Sequence, residues 1–201
     1  MLRAIIFDLG NVIVPFDFSR AYQRMEAISG LTREELRRRL SEAGIGPMLE
    51  SGQIEPMVFI ERINGLLGTA VEYTEFRELW VSIFERRTLI PEEMLMSIRE
   101  RYRLLLLSNT NALHFDWLDE TFPHFRHFHH RVLSHEVKAL KPDPRIYSEA
   151  VRNAGCRAEE CFFTDDVQAY VDGACAAGLD AVQFTGLEKL VADLRSRGVE
   201  V

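Results

Sequence analysis

The sequence is poor in cysteine, has no long apolar run and carries no surplus of positive charge. Three cysteines, Cys156, Cys161 and Cys175, are spread through 201 residues. An odd number with no CxxC pair argues against a disulfide framework, so reduced, buried thiols are expected. No apolar stretch approaches the ~20 residues of a membrane-spanning helix. The N-terminal residues carry charge at Arg3 and Asp8 and show no cleavage-site pattern. No leader is therefore expected, and the cytoplasm is the expected location. Lys and Arg number 24 against 31 Asp and Glu, a net charge of −7. Nucleic-acid and anionic-membrane binders need a cationic face, so neither partner is expected. A small anionic substrate needs only local positive charge and stays open. Internal repeats and low-complexity segments are absent as well.

Core-forming residues are plentiful. Hydrophobic residues make up 47% of the chain, enough for one large domain or one domain with an insertion. Residues 3–8 read as a buried strand that runs into Asp8 and Gly10. Between about 17 and 88 no convincing strand occurs. Helices are expected at "FSRAYQRMEAIS", with Asp17 as N-cap, and at "TREELRRRLSEA", with a Thr32–Glu35 capping box. Two more are expected at "IEPMVFIERINGLLG" and "EYTEFRELWVSIF", where Phe76, Leu79, Trp80 and Ile83 form an apolar face. From Pro91, placed in the first turn of the next helix, the pattern changes. Strands "RLLLLSN", "RVLS", "ECFFTDD" and "DAVQF" alternate with helical stretches. This alternation predicts an α/β fold with a doubly wound parallel sheet. The first strand joins that sheet. The expected organisation is a core of residues 1–16 and 89–201 with a helical unit, 17–88, inserted after strand one.

In such sheets ligands bind beyond the carboxyl ends of the strands. Asp8 and Gly10 stand there, then Ser108, Asn109, Thr110 and Asn111, then Lys141, then Asp165 and Asp166. Three acids at one edge raise one another's pKa unless a cation lies between them. Mg²⁺ suits carboxylate and carbonyl oxygens and keeps waters that a phosphate can replace. Lys141 and backbone N–H groups after the second strand would hold the anion. Asp8 would be a carboxylate nucleophile that takes the phosphoryl group.

The segments "DLGNV", "LSNTN", "KPDPRIY" and "FTDDVQAYVDGACAAG" resemble, in this order, the four motifs of the haloacid dehalogenase-like hydrolases. That superfamily consists of aspartate-nucleophile phosphatases and their kin, and the resemblance spans the whole chain. "FDLGNVIV", "ESGQI" and "LSNTN" are most similar to its bacterial α-D-glucose-1-phosphate phosphatase subgroup. The resemblance implies a Rossmann-like core, a helical cap over 17–88, Mg²⁺ as cofactor and a small phosphorylated metabolite, such as a sugar phosphate, as substrate. It implies Asp8 as nucleophile and metal ligand, the Gly10 carbonyl and Asp166 as further ligands, and Asp165 as the residue that orients them. Ser108 and the Asn109 backbone would bind phosphate oxygens, while Lys141 would neutralise Asp8 and the phosphate together. Gly10 is expected to let the backbone turn its carbonyl toward the metal, and Asn11 to help the turn into the cap.

Two positions depart from the family pattern. Members usually carry a second Asp two residues after the nucleophile, as general acid and base, and here that position is Gly10. Tyr170 stands where Asn or Asp is usual. Without an acid at position 10, the departing oxygen must be protonated by water or by a cap residue, or leave as an anion. Asp17 and Glu50 are the carboxylates to consider, although Glu50 reads equally well as a surface glutamate. Two rival functions remain: a metal-independent 2-haloacid dehalogenase and a non-catalytic binding protein of the same fold. The adjacent acids Asp165 and Asp166 favour the metal-dependent reading, and intact Asp8, Ser108, Lys141 and Asp166 weigh against lost turnover. His124, His127, His129, His130 and His135 resemble a metal tract, but the aromatic residues between them suggest a half-buried surface loop. "GIGPMLESG" follows no strand and fails as a nucleotide loop. The arginines of "REELRRRLSE" alternate with acids as on a solvated helix face. Monomer and dimer both remain open.

Overall fold

The computed structural model describes residues 1–201. The chain begins with strand β1 (Ala4–Phe7) and continues through five helices. These are α1 (Ser19–Ser29), α2 (Arg33–Ala43), α3 (Ile45–Glu50), α4 (Pro56–Leu67) and α5 (Tyr73–Val81). Then follow α6 (Glu92–Arg101), β2 (Arg103–Ser108), α7 (Ala112–Thr121), β3 (His130–Leu133) and the short α8 (Ser134–Val137). The chain ends with α9 (Pro144–Ala154), β4 (Cys161–Asp165), α10 (Gln168–Ala176), β5 (Asp180–Gln183) and α11 (Leu187–Ser196).

The five strands form one parallel sheet in the order β3-β2-β1-β4-β5. Its central strands are continuous apolar runs because both faces are covered. Alternate side chains serve opposite layers. Ile5, Phe7, Leu104, Leu106 and Phe162 pack with residues of α6, α7 and α11. Ala4, Ile6, Leu105, Leu107 and Phe163 pack with residues of α9 and α10. From β1 the chain builds outward through β2 and β3, then crosses back to lay β4 on the other side of β1. The strand order reverses between β1 and β4, and a crevice opens there at their carboxyl ends.

Several local expectations need correction. Helix α3 lies in "GIGPMLE", which the periodicity did not mark as a helix; Gly44, at φ 60°, ends α2 and leads into it. Thr32 accepts the Glu35 N–H at 3.3 Å, but the Glu35 carboxylate turns to Arg38 and Arg39 and leaves the capping box half made. Asp17 does accept the Ser19 N–H at 2.8 Å, although Phe18 occupies the cap position itself. Pro91 is the residue before α6 rather than part of its first turn. Of the three free thiols only Cys161 is buried, and Cys175 is exposed. No helix is long and apolar enough to cross a membrane.

The helices α1–α5 share an apolar cluster with the sheet. Met25, Leu36, Phe59, Phe76 and Trp80 belong to the same apolar cluster as Ile5 and Phe7. A buried polar side chain is among those that bridge the two parts. His114, buried on α7, stacks on Trp80 with ring centres 5.4 Å apart and planes 14° from parallel. Its Nε2 lies 3.2 Å from the Trp80 carbonyl and its Nδ1 lies 3.1 Å from Asn111 Nδ2. These partners fit a neutral ring that donates from Nε2 and accepts at Nδ1. Burial lowers the ring's pKa to about 3.

A pH dependence follows. In the unfolded chain His114 takes a proton near pH 6.5, whereas in the folded one it stays neutral down to about 3. Between those values the unfolded state binds the extra proton, so stability falls as pH drops. From pH 7 to pH 5 this residue alone should remove about 2 kcal/mol. His114→Gln should remove that part of the dependence. Urea unfolding at both pH values should show the gap between wild type and variant narrowing by about this amount, and a constant gap would refute the assignment.

Candidate active site

The site is built around one buried ammonium. Lys141 lies in the loop between α8 and α9 and is 3% exposed. Its Nζ donates to Asp8 Oδ1 at 2.7 Å, to Asp165 Oδ2 at 2.5 Å and to the Leu107 carbonyl at 3.1 Å. Burial opposes the charge, but Asp8 and Asp165 outweigh it and hold the Lys141 pKa above its ordinary value. The rings of Phe163 and Tyr170 add π faces at 5.5 and 5.1 Å. Tyr170 thus packs against the ammonium from a position where Asn or Asp was usual, and the Tyr147 hydroxyl fixes its backbone by donating to its carbonyl at 2.7 Å.

The loop that carries Lys141 is held by Asn109. Asn109 Nδ2 donates to the Lys141 carbonyl at 3.1 Å, and the Lys141 N–H donates to Asn109 Oδ1 at 2.8 Å. Sequence reasoning used only the Asn109 backbone and missed this clamp. A lone Asn after a strand gives no sign of its partner 32 residues on.

Three carboxylates converge here. Oxygens of Asp8, Asp165 and Asp166 lie within 4.8 Å of one another. Burial first, and the Asp8 charge second, push Asp165 up to about 7 against the pull of Lys141. Burial also raises Asp166, while a hydrogen bond from Asn11 Nδ2 at 3.2 Å opposes the rise. One ammonium among three carboxylates leaves negative charge in excess. A divalent cation would relieve that repulsion, and an all-oxygen donor set fits a hard ion such as Mg²⁺.

The turn after β1 corrects the expectation for position 10. The left-handed residue is Asn11, at φ 54°, and Gly10 has an ordinary φ. Asn tolerates that conformation better than most residues. Gly10 is small for another reason: a Cβ there would lie 2.5 Å from Cε1 of the Phe16 ring. Asn11 holds the Phe16 backbone, accepting its N–H at 3.2 Å.

Asp8, Gly10, Ser108, Asn109, Lys141 and Asp166 all line one cavity of about 190 Å³, with Phe16, Phe18 and Phe84 among the apolar residues around it. Asp165 lies beneath it, fully buried. Glu50 also lines it, whereas Asp17 does not. The histidines diverge. His127 meets Glu92 at 2.7 Å, His129 Nδ1 accepts the Leu104 N–H at 3.0 Å, and His135 lies 3.2 Å from the Thr110 carbonyl. The aspartate trio is the one group of metal-capable side chains in the structure.

Known proteins share this architecture. The family model described as haloacid dehalogenase-like hydrolase matches residues 2–178. A D-ribitol-5-phosphate phosphatase of Bacteroides thetaiotaomicron is 24% identical, over 91% of this chain and 92% of the relative. A glyceraldehyde 3-phosphate phosphatase of Methanopyrus kandleri is 26% identical, over 92% of this chain and 84% of the relative. A haloacid dehalogenase family enzyme of B. thetaiotaomicron, solved with magnesium and inorganic phosphate, superposes with a TM-score of 0.82 at 27% identity. That match covers 92% of this chain and 96% of the enzyme.

The contact at position 10 is testable by a double-mutant cycle. Gly10→Asp should destabilise the protein by ~1–3 kcal/mol, because the new side chain must displace the Phe16 ring. In a Phe16→Ala background the same substitution should be milder by at least ~1 kcal/mol. Chemical denaturation of the four proteins measures both numbers, and equal losses in the two backgrounds would show that the ring does not limit the site.

Proposed function

We propose, because the chain belongs to the haloacid dehalogenase-like hydrolase family, that it is a Mg²⁺-dependent phosphatase of a small sugar phosphate. The observation that carries this reading is the buried Lys141 ammonium bonded to Asp8, with Asp165 and Asp166 alongside. A 2-haloacid dehalogenase that works without metal has no need of that excess of carboxylate. The relatives' named substrates, ribitol 5-phosphate and glyceraldehyde 3-phosphate, support the size class. Glucose 1-phosphate, suggested by the motif resemblance, belongs to the same class.

Lys141 bonds one oxygen of Asp8, Oδ1. The other is left to attack phosphorus. The bond from phosphorus to the alcohol oxygen breaks, and the phosphoryl group passes to Asp8 as an aspartyl phosphate. A water then attacks phosphorus, releases inorganic phosphate and restores the carboxylate. Lys141 lets two anions approach by neutralising both. Ser108 and the backbone N–H of Asn109 receive phosphate oxygens. Asp8, Asp166 and the Gly10 carbonyl are the groups that would hold Mg²⁺, and Asp165 orients them. When bound, the ion screens the phosphate charge and fixes its oxygens. The segment 17–88 acts as a cap on the core of 1–16 and 89–201, excluding water from the bound ester.

Asp8→Asn should abolish phosphate release from sugar phosphates, since an amide cannot attack, and should lower the melting temperature because the Lys141 ammonium loses a buried counter-charge, while circular dichroism still reports the native fold. Chelator should stop the wild type reversibly, and Asp166→Ala should reproduce its effect. Release of halide from a 2-haloacid, unaffected by chelator, would establish the dehalogenase instead.

A further inference from the structure

The phosphatase reading leaves one proton without a source. When phosphorus moves to Asp8, the alcohol oxygen departs with the bonding pair. A positioned acid at that point typically contributes ~10²–10⁴-fold in rate. Phe16 fills the space where a side chain at position 10 would stand, so that oxygen must be served from elsewhere.

Most titratable groups at the cavity are already engaged. Asp8 is the nucleophile. Asp166 accepts from Asn11, and Lys141 donates to Asp8 and Asp165. His114 stays neutral and both its nitrogens have partners. The Tyr170 ring lies against the Lys141 ammonium. Asp17, the other carboxylate considered, is exposed and outside the cavity, and both its oxygens accept from Ser19. Hydrogen bonds to Ser19 hold it below the usual carboxylate range, the wrong direction for an acid.

Glu50 differs on each count. It lines the cavity together with Asp8 and Gly10. Burial alone raises its carboxyl above the usual range, with no hydrogen bond or charge pulling it back. Its backbone is tied to the catalytic core: the Ser134 hydroxyl donates to the Glu50 carbonyl at 2.6 Å, and the same hydroxyl oxygen accepts the Thr110 N–H at 2.9 Å. Two residues on, the chain lies flat against α8. The Gly52 carbonyl accepts from Lys138 Nζ at 2.6 Å, and a Cβ at Gly52 would collide with the His135 carbonyl at 2.1 Å. The end of α3 is therefore fixed with respect to the strand ends although it belongs to the helical segment.

We propose that Glu50 is the proton donor to the departing oxygen, standing in for the side chain that position 10 lacks. As the bond from phosphorus to the alcohol oxygen breaks, that oxygen takes the Glu50 proton and leaves as the neutral alcohol. Glu50 is left as a carboxylate. It then accepts a proton from the water that attacks the aspartyl phosphate, which returns both residues to their starting states.

The test is the dependence of kcat/KM on leaving-group acidity, from aryl phosphates to primary alkyl phosphates, with Mg²⁺ present. Wild type should show a shallow dependence. Glu50→Gln should lose ~10²–10⁴-fold on alkyl esters and under ~10-fold on 4-nitrophenyl phosphate. The retained aryl activity shows that the variant is folded. Glu50→Ala should recover on alkyl esters when formate is added as an external acid. Asp17→Asn should follow the wild-type line. Equal loss on all esters in Glu50→Gln, absence of formate rescue, or a steepening in Asp17→Asn would each overturn the proposal while leaving the phosphatase intact. No phosphate release by wild type from any ester would overturn the phosphatase reading, and this assignment with it.

Discussion

The structure depends on the contact of the Lys141 ammonium with Asp8 and Asp165. A buried charge is tolerated only where partners surround it, and removing one partner of such a set is expected to destabilise a protein by ~3–5 kcal/mol. Lys141 therefore bears on stability and, in the proposed mechanism, on the chemistry as well. It donates to Asp8 at the sheet edge and so fixes the position of that carboxylate. The sheet supplies the matching geometry. Phe7 pairs with Thr164 across β1 and β4, so the next residues, Asp8 and Asp165, emerge side by side. Asn109, at the end of β2, then brings the Lys141 loop to them.

Around this polar centre the walls are aromatic. Phe16 packs edge-on against Phe18 and Phe84, with centroids 5.6 and 6.2 Å apart. Phe84 in turn meets His114 at 5.0 Å. These rings join the helical segment to the core and wall the cavity that Asp8 lines. Their packing also takes up the room beside Gly10. The missing acid and the aromatic wall beside it are thus one structural fact. In the proposed mechanism the duty of protonation then falls to Glu50, which lines the same cavity.

Much of the fold and of the site was legible in the chain. "AIIF", "LLLL" and "CFFT" are unbroken apolar runs because central strands of a parallel sheet are buried on both faces. Parallel strands all end at one edge, so Asp8, Ser108 and Asp165 share it, and the placing of β1 between β2 and β4 makes them neighbours. Helix α3 is not legible in the sequence because six residues are too few to display a hydrophobic period. The capping box is only half made because Arg38 and Arg39 compete for the same carboxylate.

The sequence by itself determined the class of fold, the residues at the strand ends and the need for a cation among three acids. These follow from short-range patterns and from a topology with one reactive edge. The tertiary structure decided the rest. Asn11 supports Asp166 across 155 positions, and Ser134 anchors Glu50 across 84. Phe16, not backbone freedom, explains Gly10. Such pairings arise from how loops and helices pack in three dimensions, and no periodicity or local preference along the chain encodes them.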